Sequence, residues 1–413
     1  MTNDADADQP SEPTPVEGSF TTGFETVDDF RARVVTFYMS LPTVLANIDD
    51  PLERGKTYRR ALCDARLAAV SYPPELGGAG LPVEYEAAGR EAALDLLPGE
   101  EAMFTLGVGM AVPTIREYGS PELQRRFIPP ALRGDEIWCQ LYSEPGAGSD
   151  LAGLTTRAVR DGDEWIITGQ KVWTSQAQNS DMAILLARTD ADLAKHRGIT
   201  MFALPMDQPG VTVRPLVQMT GVAEFNEVFL DEARVPADWV IGEVNGGWAL
   251  AVALLGHERT SLGRGVKTDD STKSKVGRSP LPFDGLVARA AVAGRLHDPV
   301  VRQQLATTYT GERLVPWGTQ RGLHPSLGKL WRTIQGRHAA QLAHEIGGAS
   351  AAAWEPGDTE ADYWAYHVLN CRGMSLGGGT DEIQRNTLGE RVLGLPREPG
   401  PDRNTPFRDL PAN

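Results

Sequence analysis

Little in this chain suits a metal centre or a disulfide framework. Its 413 residues include three cysteines, Cys63, Cys139 and Cys371, scattered without a CxxC or a Cys/His spacing, so neither a zinc site nor a set of bridges is expected. A basic stripe is missing too. The formal net charge is −15, and a chain that acidic has no surface to neutralise nucleic-acid phosphates or settle on an anionic membrane. Long apolar runs are absent: the longest, residues 248–256, is about half a membrane span. The first residues are acidic and proline-rich rather than basic then apolar, which is unlike a signal or transit peptide. Repeats and low complexity are absent as well, and the expected setting is a reducing cytoplasm.

What is present is an ordinary globular composition, 41% hydrophobic, long enough for two or three packed units. Residues 1–19 have almost nothing to bury and read as a disordered acidic tail. Residues 20–137 have helical spacing. Phe30, Val34, Phe37 and Leu41 share a stripe that Asp28 or Asp29 would cap, and Leu62, Ala65, Ala69 and Val70 suggest a second helix. Further helices are expected over 82–97, 101–118 and 121–133, the last capped by Ser120 ahead of a proline. Over 138–243 the period becomes two, with a hairpin at 157–168 turning at Asp161-Gly162 and short strands after it, which predicts a small β-barrel or sandwich. Residues 244–398 return to helices, and 399–413 read as a tail. The fold class is α+β, with a β-domain between two helical ones.

The segment from Gln140 to Ser175 concentrates the chemistry. Gln140-Leu-Tyr-Ser-Glu-Pro-Gly-Ala-Gly-Ser-Asp150 has glycines that let backbone N–H groups converge on a phosphate or carbonyl oxygen. Gly169-Gln-Lys-Val-Trp-Thr-Ser175 sets Trp173 among hydroxyls, a flat apolar face edged with donors that suits a planar heterocycle. Either motif alone also reads as a plain turn or a core tryptophan.

Together, and with Gly378-Gly-Thr-Asp-Glu-Ile-Gln-Arg385 near the C-terminus, these motifs resemble the acyl-CoA dehydrogenases over about residues 27–398. The resemblance implies FAD as cofactor, an acyl-CoA thioester as substrate and α,β-desaturation as the reaction. It implies electron delivery to an electron-transfer flavoprotein and a tetramer, homomeric or built with a related subunit. Gln140, Tyr142 and Ser143 should then border the flavin ring, with Trp173 and Ser175 on its other edge. Gly148 belongs to the same loop, and Ser149 would meet the CoA side of the substrate. Thr380 and Glu382 match positions that meet FAD, and the helix after Gly377-Gly-Gly-Thr380 would point its N-terminus at the pyrophosphate. His344-Glu-Ile-Gly-Gly348 matches a segment that reaches a neighbouring subunit's FAD, with His344 where relatives carry Gln.

Two departures matter. Most relatives place the catalytic glutamate directly before the Gly-Thr of the C-terminal motif, where this chain has Gly378. A minority place it on the helix after the β-domain, in a Glu-Arg pair, and here that pair is Glu258-Arg259. The spacing agrees: Glu258 follows Leu254 by four residues and Ala251 by seven, continuing an apolar face on which a carboxylate would be poorly solvated and a stronger base. A helix that simply surfaces at His257-Glu-Arg is the plainer reading. Arg259 would support the thioester or the glutamate, or serve as an ordinary helix-end cation. Gly378 keeps an N–H for the thioester oxygen and frees space near the reacting carbons, which predicts a branched or bulky acyl group. The second departure is the lack of a recognisable Arg and Phe-Gly clamp for the adenosine end of FAD, for which Arg278 or Arg289 could substitute. Two other functions stay open: a half-site or non-catalytic partner subunit, and a flavin oxidase or monooxygenase on the same fold.

Overall fold

The computed structural model describes residues 25–93, 96, 103–262, 282–353, 355, 357–397 and 404–411, with side chains of 257–262, 359 and 360 outside that description. The expected tail at 1–19 and the loop carrying Arg278 lie outside the described residues.

The N-terminal helices are α1 (Val27–Leu45), α2 (Pro51–Asp64), α3 (Glu84–Ala93), α4 (Val112–Tyr118) and α5 (Pro121–Arg133). Three boundaries differ from the sequence pattern, each for a local reason. The cap of α1 is Thr26, whose hydroxyl accepts from the Asp29 N–H at 3.1 Å, and Asp28 and Asp29 occupy the first turn, where their charge favours the helix dipole. Helix α2 starts and stops earlier than Leu62–Val70 suggested. Asp50 caps it by accepting from the Leu52 and Glu53 N–H groups, Pro51 starts it, and Arg66 ends it in the left-handed conformation at φ +58°. Ahead of α4 the chain forms a wide π turn over Gly107–Ala111, just before Pro113, which has no N–H to continue a regular ladder. The Ser120 cap of α5 is as expected, accepting from Leu123 at 3.2 Å.

The middle of the chain forms one eight-stranded sheet in the order β6-β7-β3-β2-β4-β5-β8, with β1 parallel to β4. Its strands are β1 (Trp138–Leu141), β2 (Arg157–Asp161), β3 (Glu164–Ser175), β4 (Met182–Arg188), β5 (Ile199–Pro205), β6 (Val211–Leu216), β7 (Phe225–Pro236) and β8 (Val240–Ile241). The sheet curls on itself. Trp165 on β3 meets Phe202 on β5 with ring centroids 5.5 Å apart, although two strands separate them in the sheet. Ile167, Leu185, Leu204, Val228 and Val235 fill the interior around that contact.

A second core joins the sheet to the N-terminal helices and to α6 (Gly247–Leu262). Phe127 of α5 packs edge-on against Trp138 and Trp239 at 5.4 and 4.9 Å, and Leu250, Ala251 and Leu254 of α6 bury into the same cluster. Leu250 and Leu254 each contribute roughly 1.5–3 kcal/mol on leaving water, so α6 is anchored firmly at the edge of the β-domain. Helices α7 (Phe283–Val292), α8 (Pro299–Gln320), α9 (Pro325–Gly347), α10 (Thr359–Met374) and α11 (Asp381–Thr387) complete the fold, with α7 to α10 sharing a third core around Leu286, Leu305, Ala343 and Trp364. Residues 404–411 fall within the stretch expected as a tail, yet they lie against the β-domain: Pro406 pairs with Ala194, and the Phe407 N–H donates to the Leu193 carbonyl at 2.9 Å.

Candidate active site

The site begins where β1 ends. Gln140 is half-buried opposite Ile184 of β4, and Tyr142 is buried in the core shared with the N-terminal helices. The next residues fold back at once: Glu144 and Ala147 exchange both backbone hydrogen bonds, at 3.1 and 3.0 Å, around a tight turn at Pro145-Gly146. Gly146 and Gly148 do not take positive φ. A Cβ built at either would meet nothing within 4 Å, so the glycines leave open space in front of the loop rather than relieve strain.

Strand β3 supplies the facing wall. The Val172 N–H donates to the Ser143 carbonyl at 2.9 Å, which ties the two motifs side by side. Directly afterwards β3 slips against β7. Lys171 pairs with Val228 and Thr174 with Asn226, so three steps on one strand oppose two on the other. The extra length falls at Trp173, which adopts φ +62° and stands 56% exposed, its ring edge-on to Phe225 with centroids 5.9 Å apart. A bulky residue in the left-handed region is strained by about 1–3 kcal/mol, and here the bulge turns the indole outward instead of into the core. Asn226 secures the far side by donating to the Thr174 carbonyl at 3.1 Å. Gln140, Tyr142, Ser143, Trp173 and Ser175 are thereby brought into one strip, with Gly148 and Ser149 exposed in the adjoining loop. An outward indole, flanking hydroxyls and an open glycine loop fit a planar flavin.

Beneath the strip is a charge network that the sequence reading missed. Lys171 is fully buried and donates to Glu144 at 2.9 Å and to the Tyr142 and Leu186 carbonyls at 3.1 and 2.8 Å. Glu144 also accepts from the Thr155 N–H and hydroxyl and from the Thr156 N–H, at 2.7, 2.8 and 2.9 Å. Burial alone would raise the Glu144 carboxyl, but the Lys171 charge and these hydrogen bonds outweigh it and bring its pKa down to about 2. Burial pulls the Lys171 ammonium below its ordinary value, against the Glu144 charge. Nearby, burial also draws the Arg188 guanidinium down to about 10, while its nitrogens donate to the carbonyls of Ala152 (2.6 Å), Leu154 (3.2 Å) and Lys195 (2.7 Å). One signal was readable: Lys171 shares the parity of Trp165 and Ile167 along β3, which places it inward.

The remaining residues sit on the C-terminal helices. Thr380 caps α11, accepting from the Ile383 N–H at 3.2 Å, and Glu382 is exposed beside Arg385. Gly378 and Gly379 take φ +65° and +83°, and Gln384 donates to the Gly378 carbonyl at 3.0 Å. Helix α11 spans seven residues, and the buried Asp381 in its first turn is turned to α9, meeting Thr333 at 2.8 Å, Arg337 at 3.3 Å and Lys329 at 3.4 Å. His344 is exposed near the end of α9, and Gly348 follows at φ +54°. His344 lies seven residues beyond Arg337, about 10 Å further along the helix. The two groups are therefore apart within one chain. Arg289 is committed to its own bundle: its Nε donates to the Ala343 carbonyl at 2.9 Å and its guanidinium lies 4.5 Å from the Trp364 ring centre. Glu258 and Arg259 belong to the backbone of α6, four and five residues past the buried Leu254, with side chains outside the described residues.

Residues 25–135 match the family model "Acyl-CoA dehydrogenase, N-terminal domain", and 139–233 match "Acyl-CoA dehydrogenase, middle domain". The chain is 39% identical over 362 residues to acyl-CoA dehydrogenase IpdE1 of Mycobacterium tuberculosis, covering 84% of this chain and 90% of that one. It belongs to the acyl-CoA dehydrogenase family. Among solved structures it resembles the Tcur3481-Tcur3483 steroid ACAD (TM-score 0.69, 28% identity, 90% of this chain and 98% of that one). It also resembles the ChsE4-ChsE5 complex from Mycobacterium tuberculosis (TM-score 0.68, 27% identity, 93% and 100%). Acyl-CoA dehydrogenases are oxidoreductases, and the family implies a flavin cofactor. Among the described residues no helix is long and apolar enough to cross a membrane, and no group of His, Cys, Asp and Glu is arranged to hold a metal ion.

Proposed function

We propose that this acyl-CoA dehydrogenase desaturates a branched or ring-bearing acyl-CoA thioester between its α and β carbons, with FAD as cofactor and Glu258 as base. The observation that carries the reading is the β3–β7 bulge that turns Trp173 outward beside Ser143 and Ser175, where its indole stands exposed. When bound, FAD would supply the acceptor for the β-hydride at N5, with an electron-transfer flavoprotein as the onward acceptor of the electrons. The chain's own part is acid–base and positional. The α C–H breaks and its proton goes to the Glu258 carboxylate, with Arg259 beside it. Ser149 meets the CoA side, and the Gly378 N–H donates to the thioester oxygen as negative charge develops there.

The bulky acyl group is supported by Gly378. Its φ of +65° suits glycine, and it leaves vacant the volume that a glutamate would fill at that position. The printed name of one structural relative, a steroid ACAD, points the same way. Kinetics on a panel of CoA thioesters tests this. A ring-bearing or α-branched acyl group is expected to exceed straight chains in kcat/KM by about tenfold or more, and a series that peaks on a straight chain would contradict it.

A second arrangement is favoured by a separate observation. The His344–Gly348 turn, which the family resemblance directs to a neighbouring subunit's FAD, is exposed at the end of α9. Trp317 on α8, Leu376 in the turn after α10 and Leu393 beyond α11 leave apolar surface exposed in the same C-terminal region. We therefore propose a tetramer whose FAD sites are completed across subunits, either homomeric or formed with a related chain, as the paired names of the two structural relatives suggest.

A further inference from the structure

Residues 404–411 make a more specific contact than a tail needs. The Phe407 ring centre lies 3.8 Å from the Arg188 guanidinium carbon, a close cation–π contact. The Phe407 and Arg408 N–H groups donate to the Leu193 and Ala191 carbonyls at 2.9 and 3.1 Å, and the Arg408 guanidinium meets Asp192 at 2.6 Å. The segment is thus fastened to the β4–β5 connection and caps Arg188. Arg188 in turn spends its donors on backbone. One nitrogen holds the Ala152 and Leu154 carbonyls, and the other holds the Lys195 carbonyl. The Lys195 ammonium donates to both carboxylate oxygens of Asp150, at 2.8 and 2.9 Å. A continuous path therefore runs from Phe407 through Arg188 to the loop that follows Ser149, and the β4–β5 connection closes it from the other side.

We infer that Phe407 is a positioning residue: seated on Arg188, it holds the 150–155 loop in the place that presents Ser149 to the thioester. The role of Ser149 rests on the function proposed above, whereas the hold on the loop does not. Arg188 is fixed by three carbonyls through Nη1 and Nη2, its Nε is buried without a hydrogen-bond partner, and the Phe407 ring packs against the guanidinium at 3.8 Å. Removing the ring admits water to the guanidinium, so its hold on Ala152 and Leu154 competes with solvent. The loop then opens more often without any change to the sheet beneath it.

Hydrogen exchange on the full chain, with neither flavin nor thioester added, reads the first half of this. In Phe407→Ala the amides of Gly153 and Leu154 are expected to exchange about tenfold faster, while those of Ile167 and Leu185 are unchanged. Steady-state kinetics reads the second half: KM for the CoA thioester is expected to rise about fivefold with kcat within about twofold, and Phe407→Tyr, which keeps a ring on Arg188, is expected to restore both. Unchanged exchange at Gly153 and Leu154 would overturn the inference. So would faster exchange with KM unaltered, which would make the segment a clasp with no bearing on substrate. If the wild-type chain turns over no thioester, the proposed function falls, and the exchange result still decides whether Phe407 holds the loop.

Discussion

Replacing Glu258 with glutamine is expected to lower kcat/KM for a CoA thioester by about a thousandfold while leaving flavin uptake and thermal stability near wild type. A positioned general base contributes roughly two to four orders of magnitude, and glutamine keeps the size of the side chain while removing its ability to take a proton. The substitution is isosteric near the end of a helix anchored one and two turns earlier by Leu254 and Ala251, so a folding defect is not expected. Full turnover by Glu258→Gln would show that the carboxylate is solvated at an ordinary helix end. Arg259→Lys is a useful companion, because a lysine keeps the charge but not the planar fork that can hold a carboxylate or a thioester oxygen from two sides.

The second large effect belongs to stability. Lys171→Met is expected to destabilise the chain by about 3–5 kcal/mol, because it leaves the Glu144 carboxylate buried without its cation. Adding Glu144→Gln should recover part of that loss, as expected when two groups interact directly. Urea unfolding followed by tryptophan fluorescence measures both. The pH dependence carries a further signature. The folded pKa of Glu144, about 2, lies below its unfolded value, so its contribution is complete above about pH 4.3 and is lost as pH falls through 2. The wild type should weaken across that window, and Lys171→Met should weaken less, since its Glu144 has lost the partner that kept the proton off. A Lys171→Met variant within 1 kcal/mol of wild type would show that the network is dispensable. The network is more than a structural staple because of what it spans. Lys171 grips the carbonyls of Tyr142 and Leu186, and Glu144 grips the 155–156 backbone, so the loop before Ser149 and the strand leading to Trp173 keep a fixed spacing.

Much of this was legible in the residues. The change from helical spacing to a period of two near Trp138 marked the β-domain, Asp161-Gly162 marked its hairpin, and Ser120-Pro121 marked the start of α5. All three are local signals that tertiary packing had no reason to override. The limits of α2 were set by Asp50-Pro51 and by Arg66 closing the end, and the apolar positions beyond it were misleading because Ala69 and Val70 pack from a turn. The motifs picked out residues that the structure brings side by side, through the Val172 N–H on the Ser143 carbonyl, but concealed a division of labour among them. Glu144 and Lys171 hold the walls, and Trp173 and the glycines face outward. The left-handed backbone at Trp173 could not be read ahead, since it depends on how β3 registers against β7. Nor could the seat of Phe407, a single aromatic in a polar, proline-containing stretch, because its partner Arg188 is more than two hundred residues away.

The central claim is that this chain itself holds the flavin and the base. The direct measurement is to purify it alone, supply FAD, and mix it without oxygen with a ring-bearing or branched acyl-CoA while following the absorbance of the oxidised flavin. The account predicts a yellow protein whose colour bleaches within the mixing experiment, and a Glu258→Gln chain that stays yellow. A chain that takes up no flavin on its own, or one whose flavin stays oxidised with every thioester offered, would contradict it.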